Sequence, residues 1–378
     1  ETMIYLDYAS ATPVDKDVLD CYLDVTNKYY GNPNSNHDMG NMAKKVIDDA
    51  NIKIADILNI NPDELIYTSG ATESNNLAIF GTAYRYKNFG NHILVSSLEH
   101  NSVMSACLRL QEEGYEIEII PVNRDGVVDI DFLKSMIRPT TILVSVTSVD
   151  SELGIKQPIQ EIGKLLKNYD HIVFHTDASQ AIGKINIDIQ NADLVTIAPH
   201  KFYGLMGISI LVKRKNIELK PQILGGKSTT VYRSGTPNTN LIASTAVAIE
   251  KVYKNLDERY NYVNELHDYL INILKQNKDV IINSPVNSLP YTINISVKGI
   301  KSVLFVDKLN QNGVMVSSKT SCCPIMTPSK LVYALTKDKG RASSSIRISL
   351  SHLTTREEID KFINIFNKVY KEVKNGKV

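Results

Sequence analysis

Four cysteines in 378 residues are too few for a disulfide framework, and no CxxC pair marks a zinc site. Basic and acidic residues nearly cancel, 42 against 41, so the chain lacks the positive footprint that a nucleic-acid partner requires. No apolar run reaches the roughly 20 residues of a membrane span. The N-terminus lacks the basic and then apolar blocks of a secretory signal, which makes the cytoplasm the expected compartment. Glu1 and Thr2, which precede the first Met, are set aside. Internal repeats and low-complexity tracts are missing too. What remains is an ordinary globular balance, 43% hydrophobic and 22% charged, in a chain longer than one core usually supports. Two domains are expected.

Met39, Ala43, Val46, Ala50, Ile54 and Ile57 recur at helical spacing and predict an amphipathic helix over 37–58. Short apolar runs then alternate with helical segments: Glu64–Thr68, Ile93–Ser97, Glu116–Val122, Thr141–Val146, Ile172–His175, Leu194–Ala198 and Ile208–Val212. Continuous Val/Ile/Leu runs suit strands covered on both faces, so the chain from 14 to 250 reads as an α/β domain with a mostly parallel seven-stranded sheet. The pattern changes after that. A long helical stretch over 240–276 leads to strand-like runs at Tyr291–Val297, Gly313–Ser317 and Ser345–Leu350, then a helix over 355–374 opening on Thr355-Arg-Glu-Glu. Residues 251–378, with 1–13, read as a smaller α+β domain.

Ligands of an open α/β sheet bind beyond the carboxyl ends of its strands. Strand 64–68 runs into Ser69-Gly70-Ala71-Thr72-Glu73-Ser74, a small-residue turn whose free N–H groups and Thr72 hydroxyl suit an anion. Strand 93–97 ends at Glu99-His100, strand 172–175 at Thr176-Asp177-Ala178-Ser179-Gln180, and strand 194–198 at Pro199-His200-Lys201. Taken singly, each has a plainer role: His100 and His200 as loop histidines, Asp177 as a helix cap, Lys201 as solvated surface. Together they make a cofactor site. Pyridoxal 5'-phosphate needs a lysine for its aldehyde, a carboxylate against its ring nitrogen and a phosphate cup. Lys201, Asp177 and the 69–74 turn supply these, and a freed Lys201 would act as base at the substrate Cα.

With these blocks in order, the sequence resembles the cysteine desulfurases of the class V aminotransferase family, of the type that feeds iron–sulfur cluster assembly. The resemblance covers essentially the whole chain. Its landmarks are Tyr5-Leu6-Asp7-Tyr8-Ala9, Gly31-Asn32-Pro33, Thr68-Ser69-Gly70-Ala71-Thr72-Glu73-Ser74, Glu99-His100, His175-Thr176-Asp177-Ala178-Ser179-Gln180, His200-Lys201, Arg233-Ser234-Gly235-Thr236 and Ser345-Ile346-Arg347. It implies the type I fold of pyridoxal-phosphate enzymes. It also implies that His100 stacks on the cofactor ring, Asp177 pairs with the ring nitrogen and Gln180 bonds the ring hydroxyl. Ala71, Thr72 and His200 would hold the phosphate. Thr236 would reach the phosphate in a partner subunit, hence a homodimer. Arg347, helped by Asn32, would clamp the substrate carboxylate. The implied reaction takes L-cysteine to L-alanine: Cys322 attacks the substrate sulfur, keeps it as a persulfide, and passes it to an acceptor protein, an iron–sulfur scaffold or a thiolation enzyme.

The chain departs from the family pattern in four places. Ala198-Pro199 stands where Ser-Gly is usual, and Asp150-Ser151-Glu152-Leu153-Gly154 replaces Asn-Asn-Glu-Ile-Gly, leaving Ser151 as a cofactor contact through water. Gly225-Gly226-Lys227-Ser228 lacks a glycine and a histidine, and Cys322-Cys323-Pro324 replaces a single cysteine. Cys323 reads either as a packing residue or as a resolving thiol. Lys319 reads as a solvated loop residue or as a cation favouring the Cys322 thiolate. Cys21 and Cys107 read as buried small hydrophobes. Two other functions share these features: a selenocysteine lyase or other C–S lyase of the same family, and a low-activity scaffold that binds a sulfur acceptor.

Overall fold

The computed structural model describes residues 3–228, 230–319 and 327–376. After a short strand β1 (Ile4–Tyr5) come two helices, α1 (Lys16–Lys28) and α2 (Asp38–Leu58), and then strand β2 (Leu65–Thr68). Helix α3 (Ala71–Arg85), β3 (His92–Ser96), α4 (Asn101–Glu112), β4 (Glu116–Ile120), β5 (Thr141–Ser145), β6 (Val173–Asp177), β7 (Leu194–Ile197) and β8 (Ser209–Lys213) follow. Seven strands form one sheet in the order β2-β8-β7-β6-β5-β3-β4. All neighbours run parallel except at β8, which is antiparallel to both β2 and β7. The expected seven-stranded, mostly parallel sheet is present, each apolar run lying within two residues of its strand.

Every residue of β3, β5, β6, β7 and β8 is buried. Side chains alternate between the two faces, so Ile93 and Val95 enter one apolar layer with Leu143 and Val173, while Leu94 enters the other with Val144 and Phe174. Helix α3 packs across β5, β7 and β8 from the first layer. Chain order reverses at β3 and β5: from β3 the chain moves outward to β4, then returns to β5 on the other side. Such a reversal opens a crevice at the strand ends.

The helical stretch at 240–276 is two helices, Thr239–Lys254 and Leu256–Leu274, divided at Asn255. The Asn255 side-chain amide donates back to Lys251 O at 2.8 Å, a local bond that competes with helix continuation. Three further strands, β9 (Val280–Ile282), β10 (Thr292–Val297) and β12 (Ser345–Ser349), make an antiparallel sheet. Strand β11 (Val314–Met315) pairs in parallel with β1, which brings the N-terminal residues beside β12. The terminal helix Arg356–Lys374 opens with a complete capping box between Thr355 and Glu358. Thr355→Ala is expected to lower stability by about 1 kcal/mol in urea titrations. An unchanged midpoint would mean that packing of Phe362 and Phe366 alone fixes this helix.

Candidate active site

A cavity of about 440 Å³ lies at the carboxyl ends of the strands. Its walls come from the turns after β2, β3, β5, β6 and β7, and include Ala71, Thr72, His100, Ser151, Asp177, Gln180, His200 and Lys201. The expected residues thus converge from positions more than a hundred apart in sequence.

One end favours an anion. Gly70 has no side chain to cap α3, so the first-turn N–H groups open toward the cavity that Ala71 and Thr72 line. Behind them Glu73 takes a two-point ion pair from Arg233, at 3.0 and 3.1 Å, and bonds from Ser69 N–H and Oγ. Burial would raise the Glu73 pKa, but these bonds outweigh it and hold it below the usual value. The pair ties α3 to the segment that carries Thr236. His200 sits at the same end. Burial, then Lys201, pushes its pKa down to about 4, so it is neutral near pH 7. Its carbonyl accepts from Thr12 N–H at 3.1 Å and Thr12 Oγ1 at 2.9 Å. Pro199 starts the short turn Pro199–Lys201, where its fixed φ suits the first position.

At the acid, burial alone would raise the Asp177 pKa. Ser179 N–H donates to Oδ1 and Asn75 Nδ2 to Oδ2, both at 2.9 Å, and with His100 nearby these hold Asp177 below the ordinary carboxylate value. Asn75 is the hub. Its amide also donates to Ser102 Oγ at 2.8 Å, and its Oδ1 accepts from Thr196 Oγ1 at 2.7 Å. Ser102 in turn meets His100: its N–H donates to His100 Nδ1 at 3.1 Å, and its Oγ lies 2.8 Å from the same nitrogen. A backbone N–H cannot accept, so Nδ1 is unprotonated and a neutral His100 carries its proton on Nε2. Beneath Asp177, His175 spans Ser145 Oγ and Thr196 Oγ1 at 2.7 and 3.0 Å, and burial pushes its pKa down to about 4. Asn75, Ser102 and His175 had not been assigned roles from sequence.

Lys201 Nζ donates to Ala9 O at 3.0 Å, and Gln180 Nε2 donates to the same carbonyl at 3.0 Å. The N-terminal segment therefore braces site residues from behind, through Ala9 O and through Thr12 on the His200 carbonyl. Arg347 does not line the cavity but stands behind Ser151. Nη1 donates to Ser151 O at 2.7 Å, and Nη2 to Asp7 Oδ1 at 2.9 Å and Ser10 Oγ at 2.6 Å. Its buried Nε has no hydrogen-bond partner among the described residues. Ser151 itself is set by Asp150, whose carboxylate accepts three backbone N–H groups, from Glu152, Leu153 and Ile155.

Two further expected residues lie apart from the cavity. Asn32 is exposed in the loop between α1 and α2, and Thr236 is exposed beyond Arg233. Cys322 and Cys323 lie outside the described residues. Lys319 is neither solvated nor in the cavity. It is buried, and its Nζ donates to Thr327 O and, at 2.9 Å, to Thr327 Oγ1. Cys107 is buried as expected, whereas Cys21 is partly exposed.

Glu99 provides a test of this electrostatic picture. Its Oε2 accepts from Ser96 Oγ and from Thr147 N–H at 2.7 Å, and Oε1 has no partner among the described residues. Burial, with Asp177 and Asp150 adding to it against those bonds, pushes its pKa up from 4.5 to about 8. Between these values the folded chain keeps a proton that the unfolded chain has lost, so the Glu99 contribution to stability falls as pH rises. Glu99→Gln cannot lose that proton. Its stability relative to the parent protein is expected to rise between about pH 5 and pH 8 in urea titrations. A pH-independent difference would show that Glu99 is ionised in the folded state.

Comparison with known proteins identifies the family. The profile of the family described as Aminotransferase class-V matches residues 4–362. A protein of Dictyoglomus turgidum named cysteine desulfurase IscS is 37% identical over 376 residues, covering 98% of this chain and 95% of that protein. A solved structure titled NifS-like protein superposes with a TM-score of 0.92 at 30% identity, over 98% of this chain and all of that one. Another, titled SspA in complex with cysteine, gives 0.82 at 31% identity over 94% of this chain and all of that one. The chain belongs to the class V aminotransferase family, among its cysteine desulfurases.

Proposed function

We propose that the protein is a pyridoxal-phosphate-dependent cysteine desulfurase, which converts L-cysteine to L-alanine and takes up the sulfur on Cys322. The observation that carries the reading is the single cavity in which Lys201, an ionised Asp177 and the uncapped start of α3 meet. Its donor set fits the cofactor: N–H groups and neutral His200 for a phosphate, a lysine for an aldehyde, and a carboxylate for a ring nitrogen. When bound, the cofactor supplies a conjugated electron sink that acidifies the substrate Cα–H.

The protein's own groups do the rest. Lys201 takes the Cα proton and Asp177 stays charged against the ring nitrogen. His100 lines the cavity, placed to stack on the ring and assist proton transfer. Arg347 has five N–H donors, of which three are engaged among the described residues, and Nε, with no partner among them, suits a carboxylate. The Cys322 thiolate attacks the substrate sulfur, forming an S–S bond as the C–S bond breaks and its electron pair stays with carbon. Ser317, five residues earlier, pairs with Arg347 through two backbone bonds, which supports an approach of that segment to the substrate. The acceptor is an iron–sulfur scaffold or a thiolation enzyme. Thr236 serves a partner subunit in a homodimer, a reading supported by the exposed apolar residues Leu224 and Val231 before it.

The protein incubated with pyridoxal phosphate is expected to show a visible absorption band that Lys201→Ala lacks, with alanine release reduced more than about 100-fold. Mass spectrometry after a single turnover should find the persulfide in Cys323→Ser and not in Cys322→Ser. The reverse pattern would move the acceptor to Cys323. A parent protein without the band would refute the cofactor.

A further inference from the structure

Lys184 is a buried cation for which the chemistry above has no use. It lies one turn beyond Gln180 in the segment that follows β6 and is 7% exposed. Its Nζ donates to Gln180 Oε1 at 2.8 Å, and the Tyr291 ring centre is 6.0 Å away. No carboxylate forms an ion pair with it among the described residues. The charged groups that act on it are themselves cations, Lys201 after β7 and Arg347 on β12, the latter already paired with Asp7. Asp177, at the end of β6, is engaged by Ser179 and Asn75. Burial, then these two cations, pushes the Lys184 pKa down to about 7.

Gln180 lines the cavity; Lys184 does not. Nζ donates to the oxygen of the Gln180 amide, and in its ammonium form it has donors only, so that oxygen faces Lys184 and the NH2 faces away. One of the two amide hydrogens goes to Ala9 O, the carbonyl that also takes Lys201 Nζ. The other is left for the cavity. Without Lys184 the amide could turn over, placing an acceptor where a donor now stands.

We propose that Lys184 is a positioning residue: it locks Gln180 as a hydrogen-bond donor and makes that end of the cavity a seat for an anionic oxygen, the ring oxygen of bound pyridoxal phosphate. The proposal rests on the cofactor reading above. It also accounts for the energetic oddity of the site. A buried cation beside two others destabilises the empty protein, and an anion bound next to it offsets that cost.

These two consequences have opposite signs, which separates the proposal from a merely structural role. Lys184→Met keeps the volume and removes the charge. Spectroscopic titration of the cofactor–Lys201 band in the variant should show its pKa shifted upward by about one unit, since a nearby positive charge no longer opposes the protonated form. The cofactor dissociation constant should rise about tenfold. The cofactor-stripped variant should melt at the same or a higher temperature than the stripped parent. Lys184→Arg, which keeps the donor, should retain the parent's band pKa. An unchanged band pKa and affinity in Lys184→Met would overturn the proposal, as would a stripped variant that melts well below the parent. A parent protein that never forms the band sinks the cofactor reading and this inference with it; a normal parent with an unaffected variant sinks the inference alone.

Discussion

The site depends on keeping one buried carboxylate ionised. Asp177 sits at the end of a strand whose every residue is buried, where the neutral acid would ordinarily win. Two 2.9 Å hydrogen bonds, from Ser179 N–H and the Asn75 amide, reverse that preference. Asn75 can serve because α3 crosses the sheet face with its first turn at the cavity, so the helix that offers N–H groups at one end also steadies the acid. The same amide fixes Ser102, which fixes the His100 tautomer. Acid, histidine and anion cup are therefore parts of one hydrogen-bonded unit.

Around that unit the titratable groups diverge. Asp177 is held charged and Glu99 protonated, while His175 and His200 are held neutral. Divergence of this kind marks sites where proton positions matter. It also separates the duties: neutral His200 can donate to a phosphate without titrating, and Asp177 can keep a ring nitrogen protonated. The N-terminal residues brace the site through Ala9 O, which gathers Lys201 and Gln180.

Much of this was legible in the sequence for a simple reason. Strands covered on both faces write themselves as unbroken apolar runs, and polar residues that end such runs must sit at the sheet's carboxyl edge. That places Asp177, His100, His200 and Lys201 without any knowledge of their contacts. Asn75 and Lys184 could not be found this way. Each is a polar residue inside a helical or turn segment, and the meaning of Asn75 lies in a partner 102 positions away. Asn255 hid a helix break inside a good periodic pattern because its effect is a local side-chain bond. Lys319 looked solvated because a loop lysine usually is, and only the fold shows Thr327 opposite it.

The central claim is that Lys201, among the two lysines gathered near Gln180, carries the cofactor. Borohydride reduction of the pyridoxal-phosphate-loaded protein, followed by digestion and mass spectrometry, tests it directly. The account predicts one reduced pyridoxyl adduct, on the peptide containing Lys201. An adduct on Lys184, or label scattered over surface lysines with Lys201 unmodified, would contradict it.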